Sequence, residues 1–277
     1  MLQAPSSQHV RYFYSFYGNY ATNKKQLQHI EKVSMLPIIG IVLVPGILWG
    51  WVFYHAQSYK KVYLPLLLVL FLGGMACGML ALVLNHAVEK YTLFWPEAPL
   101  PQIIVLGKSI PLLSSGFWFL VGINEEFAKL LVLLAVVFPS RHLEDPFDGI
   151  LYAAVVSVGF ATMENFYYLD QFGVAVVATR TVITIPAHAF MSVPMGYYTV
   201  KSRIALDSSK EIKCRYFLPM VTIFQGWLIS AFLHGLYDFF LSLKMEREAY
   251  LLIIIMGCIS VWLGKIALRV SRSRVER

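Results

Sequence analysis

Ionisable side chains, mostly acidic residues and histidines, occur in four stretches of this chain that are otherwise apolar. They are Glu125, Glu126 and Lys129 in one stretch, Glu164 in the next, then His188, and finally His234 with Asp238. Carboxylates and imidazoles bind divalent cations, and histidine exchanges protons near neutral pH. Such a set could activate water for hydrolysis or pass ions and protons through a membrane.

The segments that carry these residues are those of a membrane protein. Of the 277 residues, 58% are hydrophobic and only 14% are charged, which is too apolar for a domain folded in water. Seven stretches reach the roughly 20 residues that cross a hydrocarbon core of ~30 Å, near residues 36–54, 63–86, 109–138, 147–169, 172–200, 217–243 and 248–269. We expect an all-α transmembrane bundle of about seven spans, or eight if residues 100–121 form a separate short helix.

The spacing of the polar residues predicts their neighbours. Residues four apart share a helix face, which predicts an ion pair between Glu125 and Lys129 and aims Glu126 elsewhere. His234 and Asp238 have the same spacing and can present two ligands to one ion. At ~1.5 Å per residue, the polar groups of the four spans reach similar depths. We therefore expect them to share one layer of the membrane.

Small residues and prolines surround these groups. Stripes that permit close helix approach comprise Gly149, Ala153, Ser157 and Ala161, then Thr184, His188, Ser192 and Gly196, and then Gly226, Ser230, His234 and Asp238. Pro186 and Pro194 are expected to loosen their helix. Asp145 before Pro146 predicts a helix start, with Asp148 as a solvated charge near it. Arg180 is expected to snorkel or to pair with a carboxylate.

The ends and loops predict the arrangement in the membrane. We expect a polar-aromatic segment over residues 1–35, a transmembrane core over 36–270 and a basic tail over 271–277. Lys and Arg are more numerous on the side of the C-terminus, five of them between residues 201 and 215. The positive-inside rule then places the C-terminus in the cytoplasm and the N-terminus outside. The net charge of +7 suits anionic lipid, and no nucleic-acid partner is expected.

Five motifs in register resemble the PrsW family of intramembrane proteases. They are Glu125-Glu126-x-x-Lys129, Glu144-Asp145-Pro146-Phe147-Asp148-Gly149, Gly159-Phe160-x-x-x-Glu164-Asn165, Pro186-Ala187-His188-Ala189 and His234-x-x-x-Asp238. The resemblance covers about residues 36–270. It implies an endopeptidase of the prokaryotic cell (inner) membrane that cuts a membrane-anchored protein, for example an anti-sigma factor. The related CAAX prenyl endopeptidases have histidine in place of Glu164 and asparagine in place of Asp238.

This resemblance suggests a role for each polar residue. We expect Glu164, His188, His234 and Asp238 to supply ligands to a divalent metal, zinc being the expected ion, which commonly takes three protein ligands and a water in catalytic sites. Glu125 would be the general base for that water. Glu126 would orient the water, and Lys129 would keep Glu125 ionised or support the oxyanion.

Three alternatives stay open at this point. A glutamate could catalyse hydrolysis without a metal. A proton-coupled transporter could use membrane carboxylates and histidines as a relay, although the chain lacks the internal repeat of many transporters. A catalytically silent membrane scaffold would tolerate apolar replacements at these positions.

Overall fold

The protein is an all-α bundle over most of the chain that the structure describes. A computed structural model describes residues 35–56, 62–92, 102–105, 108–208 and 216–275. Its elements are α1 (Met35–Ala56), α2 (Leu64–Thr92), β1 (Gln102–Val105), β2 (Lys108–Pro111), α3 (Leu112–Val132), α4 (Pro146–Phe172), α5 (Val174–Val182), α6 (Thr184–Ser208), α7 (Phe217–Ser242) and α8 (Glu246–Val275). The predicted helical bundle is confirmed. Nearly all of the predicted N-terminal segment lies outside the described residues, and α8 continues into the predicted basic tail.

Each predicted apolar stretch is helical over most of its length. Among the described residues, five helices are long and apolar enough to cross a membrane, namely α1, α2, α4, α7 and α8, and six spans result if α5 and α6 count as one bent span. The remaining predicted span is α3, which carries Glu125, Glu126 and Lys129. A five-residue π turn, Leu133–Val137, prolongs it.

The alternative eighth helix over residues 100–121 is wrong. Strands β1 and β2 pair there as an antiparallel hairpin, with Ile103 opposite Ile110. The run Ile103-Ile104-Val105 is β-branched, which favours strand over helix. Helix α3 begins only after this hairpin, at Leu112.

The fifth predicted stretch is broken into two helices. Gly173, whose φ is +82°, separates α4 from α5, and α5 and α6 meet at Ile183 with a bend of 41°. Pro186 follows three residues later and has no N–H to donate to the carbonyl of Val182. The loosening expected from Pro186 thus corresponds to the break before α6, whereas Pro194 lies inside α6, which continues past it.

Helix α4 begins as predicted, with Asp145 as its N-cap and Pro146 in its first turn. The prediction that Asp148 is solvated is wrong, because its side chain is fully buried. Its Oδ2 accepts hydrogen bonds from the backbone N–H groups of Glu144 and Asp145, at 2.9 and 3.1 Å. Together with the Asp145 side chain this forms a capping box, which satisfies N–H groups that a helix start otherwise leaves unpaired.

The small-residue stripes bring the helices into close contact. Gly149 of α4 faces Gly196 of α6, and a Cβ at either position would overlap the carbonyl oxygen of the other. Further along the same crossing, Ser157 donates a hydrogen bond of 2.7 Å to Ser192. Because α4 and α6 approach so closely, the polar residues on their facing sides reach one another.

Helices α3 and α7 make a second close crossing. A Cβ on Gly122 would lie 2.6 Å from the backbone nitrogen of Gly235. Gly122 precedes Glu125 by one helical turn, and Gly235 follows His234 directly. The crossing therefore sets the distance between the acidic pair of α3 and the histidine of α7.

Candidate active site

The seven ionisable residues singled out in the sequence form one connected network between α3, α4, α6 and α7. Six of them are buried, and the Asp238 side chain is 19% exposed. Successive contacts of 3.6 Å or less run through the network in the order Asp238, His234, Glu126, Lys129, His188 and Glu164, with Glu125 contacting His234. The structure thus brings together the residues that were expected to share one layer of the membrane.

Glu126 is the centre of this network. Its Oε1 lies 2.6 Å from the Lys129 ammonium and 2.9 Å from Nδ1 of His234. Its Oε2 accepts a hydrogen bond of 2.8 Å from Ser192. Both oxygens are thus engaged by groups from α3, α6 and α7, and the carboxylate is held rigidly behind the histidine.

The predicted ion pair between Glu125 and Lys129 is wrong. The Lys129 ammonium pairs with Glu126 instead, three residues away, and its other polar contact is Nδ1 of His188 at 3.1 Å. It also lies 4.3 Å from the centre of the Phe160 ring. Spacings of three and four residues both share a helix face, and here the histidine of α6 draws the ammonium towards the Glu126 side.

His188 joins α3 to α4. An ammonium only donates hydrogen bonds, so Nδ1 of His188 accepts from Lys129 and the ring carries its proton on Nε2. That nitrogen lies 2.9 Å from Oε2 of Glu164. The same carboxylate oxygen lies 3.0 Å from the guanidinium of Arg180, which also donates to Oδ1 of Asn165 at 2.8 Å.

Arg180 therefore pairs with a carboxylate, which is one of the two outcomes expected for it. It lies in the short helix α5, and its guanidinium stacks 3.6 Å from the centre of the Tyr168 ring. The stacking and the ion pair together fasten α5 to the end of α4.

His234 presents its second nitrogen to two carboxylates. With Nδ1 held against Glu126, its Nε2 lies 3.3 Å from Oε2 of Glu125 and 3.6 Å from Oδ2 of Asp238. Oε1 of Glu125 accepts a hydrogen bond from Asn85 of α2. Oε2 is buried and has no hydrogen-bond partner among the described residues.

Nitrogen and oxygen atoms of three of these residues lie close together, as they do in metal centres. One atom each from Glu125, His188 and His234 lies within 4.8 Å of the others, and all three residues are buried. Two imidazoles and a carboxylate are a ligand set that zinc accepts. Oε2 of Glu125 is a further indication, because it lacks a hydrogen bond among the described residues, whereas buried polar atoms in proteins normally have one.

The charges of the network also fit a divalent cation. The carboxylates of Glu125, Glu126, Glu164 and Asp238 face two cationic side chains, Lys129 and Arg180. With neutral histidines and ionised carboxylates this leaves an excess of two negative charges. Buried charge is stable only when it is paired or binds a metal, and a divalent ion would balance this excess.

Asn85 and Asn124 are contacts that the sequence did not predict. Asn85 lies at the end of the second apolar stretch, where it resembles an ordinary interfacial residue. Asn124 directly precedes the acidic pair, and its motif drew attention only to the charged residues. Both are polar residues within largely apolar helices. This is the only feature of the sequence that could have identified them.

Comparisons with known proteins identify the family of the chain. The family model described as PrsW family intramembrane metalloprotease matches residues 63–263. Protease PrsW of Bacillus subtilis (strain 168) is 30% identical over 220 residues, which cover 79% of this chain and 88% of that protein. Protease PrsW of Geobacillus kaustophilus (strain HTA426) is 30% identical over 216 residues, covering 78% and 84%. No solved structure matches the chain.

The matched region runs from the start of α2 into α8 and contains the whole polar network. The helical membrane architecture, the buried acidic and histidine residues and the extent of the match lead to one conclusion. This chain belongs to the PrsW family of intramembrane proteases.

Proposed function

We propose that the protein hydrolyses a peptide bond in or beside the span of a membrane-anchored protein, with water activated by a divalent metal ion, zinc, and a glutamate base. The observation that carries this proposal is the convergence of Glu125, His188 and His234 within 4.8 Å in a buried site. The substrate class follows from the family and from the position of the site between membrane helices. An anti-sigma factor is an example of such a substrate.

His188 and His234 would hold the ion, with Glu164 and Asp238 as the carboxylates beside them and Glu125 facing the same point. A bound zinc ion would supply a water that ionises near neutral pH and would polarise the carbonyl to be attacked.

The remaining chemistry belongs to the side chains of the network. The Nδ1–H of His234 is donated to Glu126, which leaves the lone pair of Nε2 directed at Glu125 and Asp238. Metal-binding histidines commonly donate their second N–H to a carboxylate in this way. Glu126 thus orients His234 rather than the water, and Lys129 balances the charge of Glu126.

Glu164 is placed to take a proton. His188 carries its proton on Nε2, 2.9 Å from Oε2 of Glu164. For that nitrogen to bind the ion, its proton would pass to this carboxylate and Lys129 would give a proton to Nδ1, so that the ring stays neutral. Arg180 contacts the same oxygen and holds the carboxylate in place on the side away from the ring.

Glu125 is the base in this proposal. Its Oε2 is the carboxylate oxygen that lacks a hydrogen bond and faces Nε2 of His234. A water that contacts both groups from the side could give its proton to Oε2. General bases contribute about 10²–10⁴-fold to a rate, so Glu125→Gln is expected to lower kcat by about that factor while the protein still binds the ion.

The test uses the full chain in lipid vesicles with a single-span reporter peptide labelled on both sides of its span. We expect cleavage by the wild-type protein, loss of cleavage in Glu125→Gln and His234→Ala, and inactivation by a chelator that zinc reverses. Continued cleavage by either variant would contradict the site assignment. A fully active protein that contains no ion would favour the metal-free glutamate mechanism, and proton flux without cleavage would indicate a transporter.

A further inference from the structure

Two asparagines form a one-way chain of hydrogen bonds that ends on the proposed base. Asn124 of α3 donates from Nδ2 to Oδ1 of Asn85 at 3.3 Å. Asn85 of α2 in turn donates from Nδ2 to Oε1 of Glu125 at 2.9 Å. Both asparagines are partly buried between these two helices.

The direction of the chain is set by chemistry. An ionised carboxylate only accepts hydrogen bonds, so Asn85 presents its NH₂ group to Glu125. Its amide oxygen must then face the other way, where the NH₂ group of Asn124 meets it. The donor from Asn124 therefore stabilises the one amide orientation of Asn85 that can hold Glu125.

We propose that Asn85 is a positioning residue for Glu125, and that Asn124 keeps Asn85 in its donating orientation. Asn85 engages Oε1 and thereby leaves Oε2 as the oxygen that faces Nε2 of His234. This inference rests on the proposed function, because it takes Glu125 as the base. Helix α2 carries none of the acidic or histidine residues of the network. The inference gives this helix a part in the chemistry.

The geometry supports positioning over general interhelical packing. Oε1 and Oε2 are equivalent in a free carboxylate, and rotation of the group exchanges them. Here one oxygen has a donor from a separate helix, whereas the other has no hydrogen-bond partner among the described residues. Without Asn85, the two oxygens of Glu125 would be equivalent, and the carboxylate could rotate away from His234.

The variant that tests this is Asn85→Leu, which keeps a similar side-chain size and removes the donor. The matched control is Ser202→Ala, because buried Ser202 also makes a hydrogen bond between helices, to the carbonyl of Pro219 at 2.9 Å, outside the network. Asn124→Leu is the second variant. It leaves the Asn85 amide in place but removes the group that orients it.

Two readouts are needed. In the vesicle assay with the reporter peptide, we expect Asn85→Leu to lower kcat by about 10–100-fold, as removal of supporting hydrogen bonds commonly does, with little change in KM. Asn124→Leu should lower kcat by a smaller factor, and Ser202→Ala should leave it unchanged. The second readout is the infrared band of the Glu125 carboxyl group in chelator-treated protein, identified as the band that Glu125→Gln removes. We expect it to shift in both asparagine variants.

An unshifted band and a kcat equal to that of Ser202→Ala would overturn the inference while the proposed function stands. If Asn85→Leu does not fold, the same two measurements on Asn124→Leu give the answer. A wild-type protein that does not cleave the reporter would instead contradict the proposed function. The infrared band reports on the hydrogen bond in either case, so the two failures are distinguishable.

Discussion

The Nδ1 atom of His234 lies 2.9 Å from Oε1 of Glu126, and this contact joins α7 to α3 across 108 residues of sequence. It determines which nitrogen of the ring remains free for the site. The same carboxylate also neutralises Lys129, so that orientation of the histidine and balance of charge depend on one side chain. The two adjacent glutamates are therefore expected to respond differently to substitution.

Glu126→Gln should destabilise the protein as well as inactivate it. Lys129 is fully buried, and a buried ion pair that loses one partner costs about 3–5 kcal/mol. Glu125→Gln should change stability by only about 1 kcal/mol, because Glu125 faces imidazole and amide groups rather than the lysine. Unfolding of both variants in detergent would show the contrast, and equal midpoints would argue against Glu126 as the partner of Lys129.

Removing both members of that ion pair should restore part of the lost stability. Lys129→Met alone leaves the Glu126 carboxylate buried, with Ser192 and His234 as its remaining partners among the described residues. In the double variant Glu126→Gln/Lys129→Met no uncompensated charge of the pair remains. We expect a coupling free energy of about 2–3 kcal/mol in a double-mutant cycle, without recovery of cleavage. Additive effects of the two single variants would contradict the pairing.

Gly149→Ala should separate α4 from α6. The added methyl group would overlap the carbonyl oxygen of Gly196, and overpacking of this kind costs about 1–3 kcal/mol. Gly50→Ala in α1 is the matched control, because a Cβ there has no atom within 4 Å. It should have no destabilising effect. We also expect Gly149→Ala to reduce cleavage, since the crossing positions His188 against Glu164. If Gly149→Ala were as stable as the wild-type protein, the two helices would be less tightly packed than in this structure.

The orientation in the membrane is predicted from the loops, with the C-terminus in the cytoplasm and the N-terminus outside. A green fluorescent protein at the C-terminus should fluoresce in bacterial cells. A cysteine introduced near the N-terminus should react with an impermeant reagent in intact cells. Labelling of the N-terminal cysteine only after permeabilisation would reverse the assignment.

The helix starts were predictable to within three residues, because long apolar stretches bounded by polar loops leave few alternatives in lipid. Helices α2, α6 and α8 continue six to eight residues beyond the predicted stretches. The exceptions have local causes. Residues 102–111 lie within a region of mixed polarity, where the β-branched run Ile103-Ile104-Val105 favours a hairpin. The break before α6 was harder to place, since Pro186 excludes a hydrogen bond one turn earlier and the position of the bend depends on packing.

The membership of the site was predictable, whereas its pairings were not. Charged residues stand out in an apolar span, and all seven meet in the structure. Lys129 can pair with Glu126, three residues before it, or with Glu125, four residues before it. Groups from other helices determine which of the two it contacts. In this case those groups are Ser192 and His234, which are 66 and 108 residues distant from Glu126. No pattern within one helix contains that information.

The contact between Arg180 and Glu164 has a consequence for how the chain enters the membrane during synthesis. Helix α5 has nine residues and is about 14 Å long, less than half of a ~30 Å hydrocarbon layer. An arginine in so short a helix is poorly tolerated by lipid on its own. Its counter-charge lies 16 residues earlier and therefore leaves the ribosome first, so α4 and α5 can enter the bilayer together as a neutralised unit. Loss of the Glu164 carboxylate would then lower the amount of protein that inserts, in addition to any effect on its chemistry.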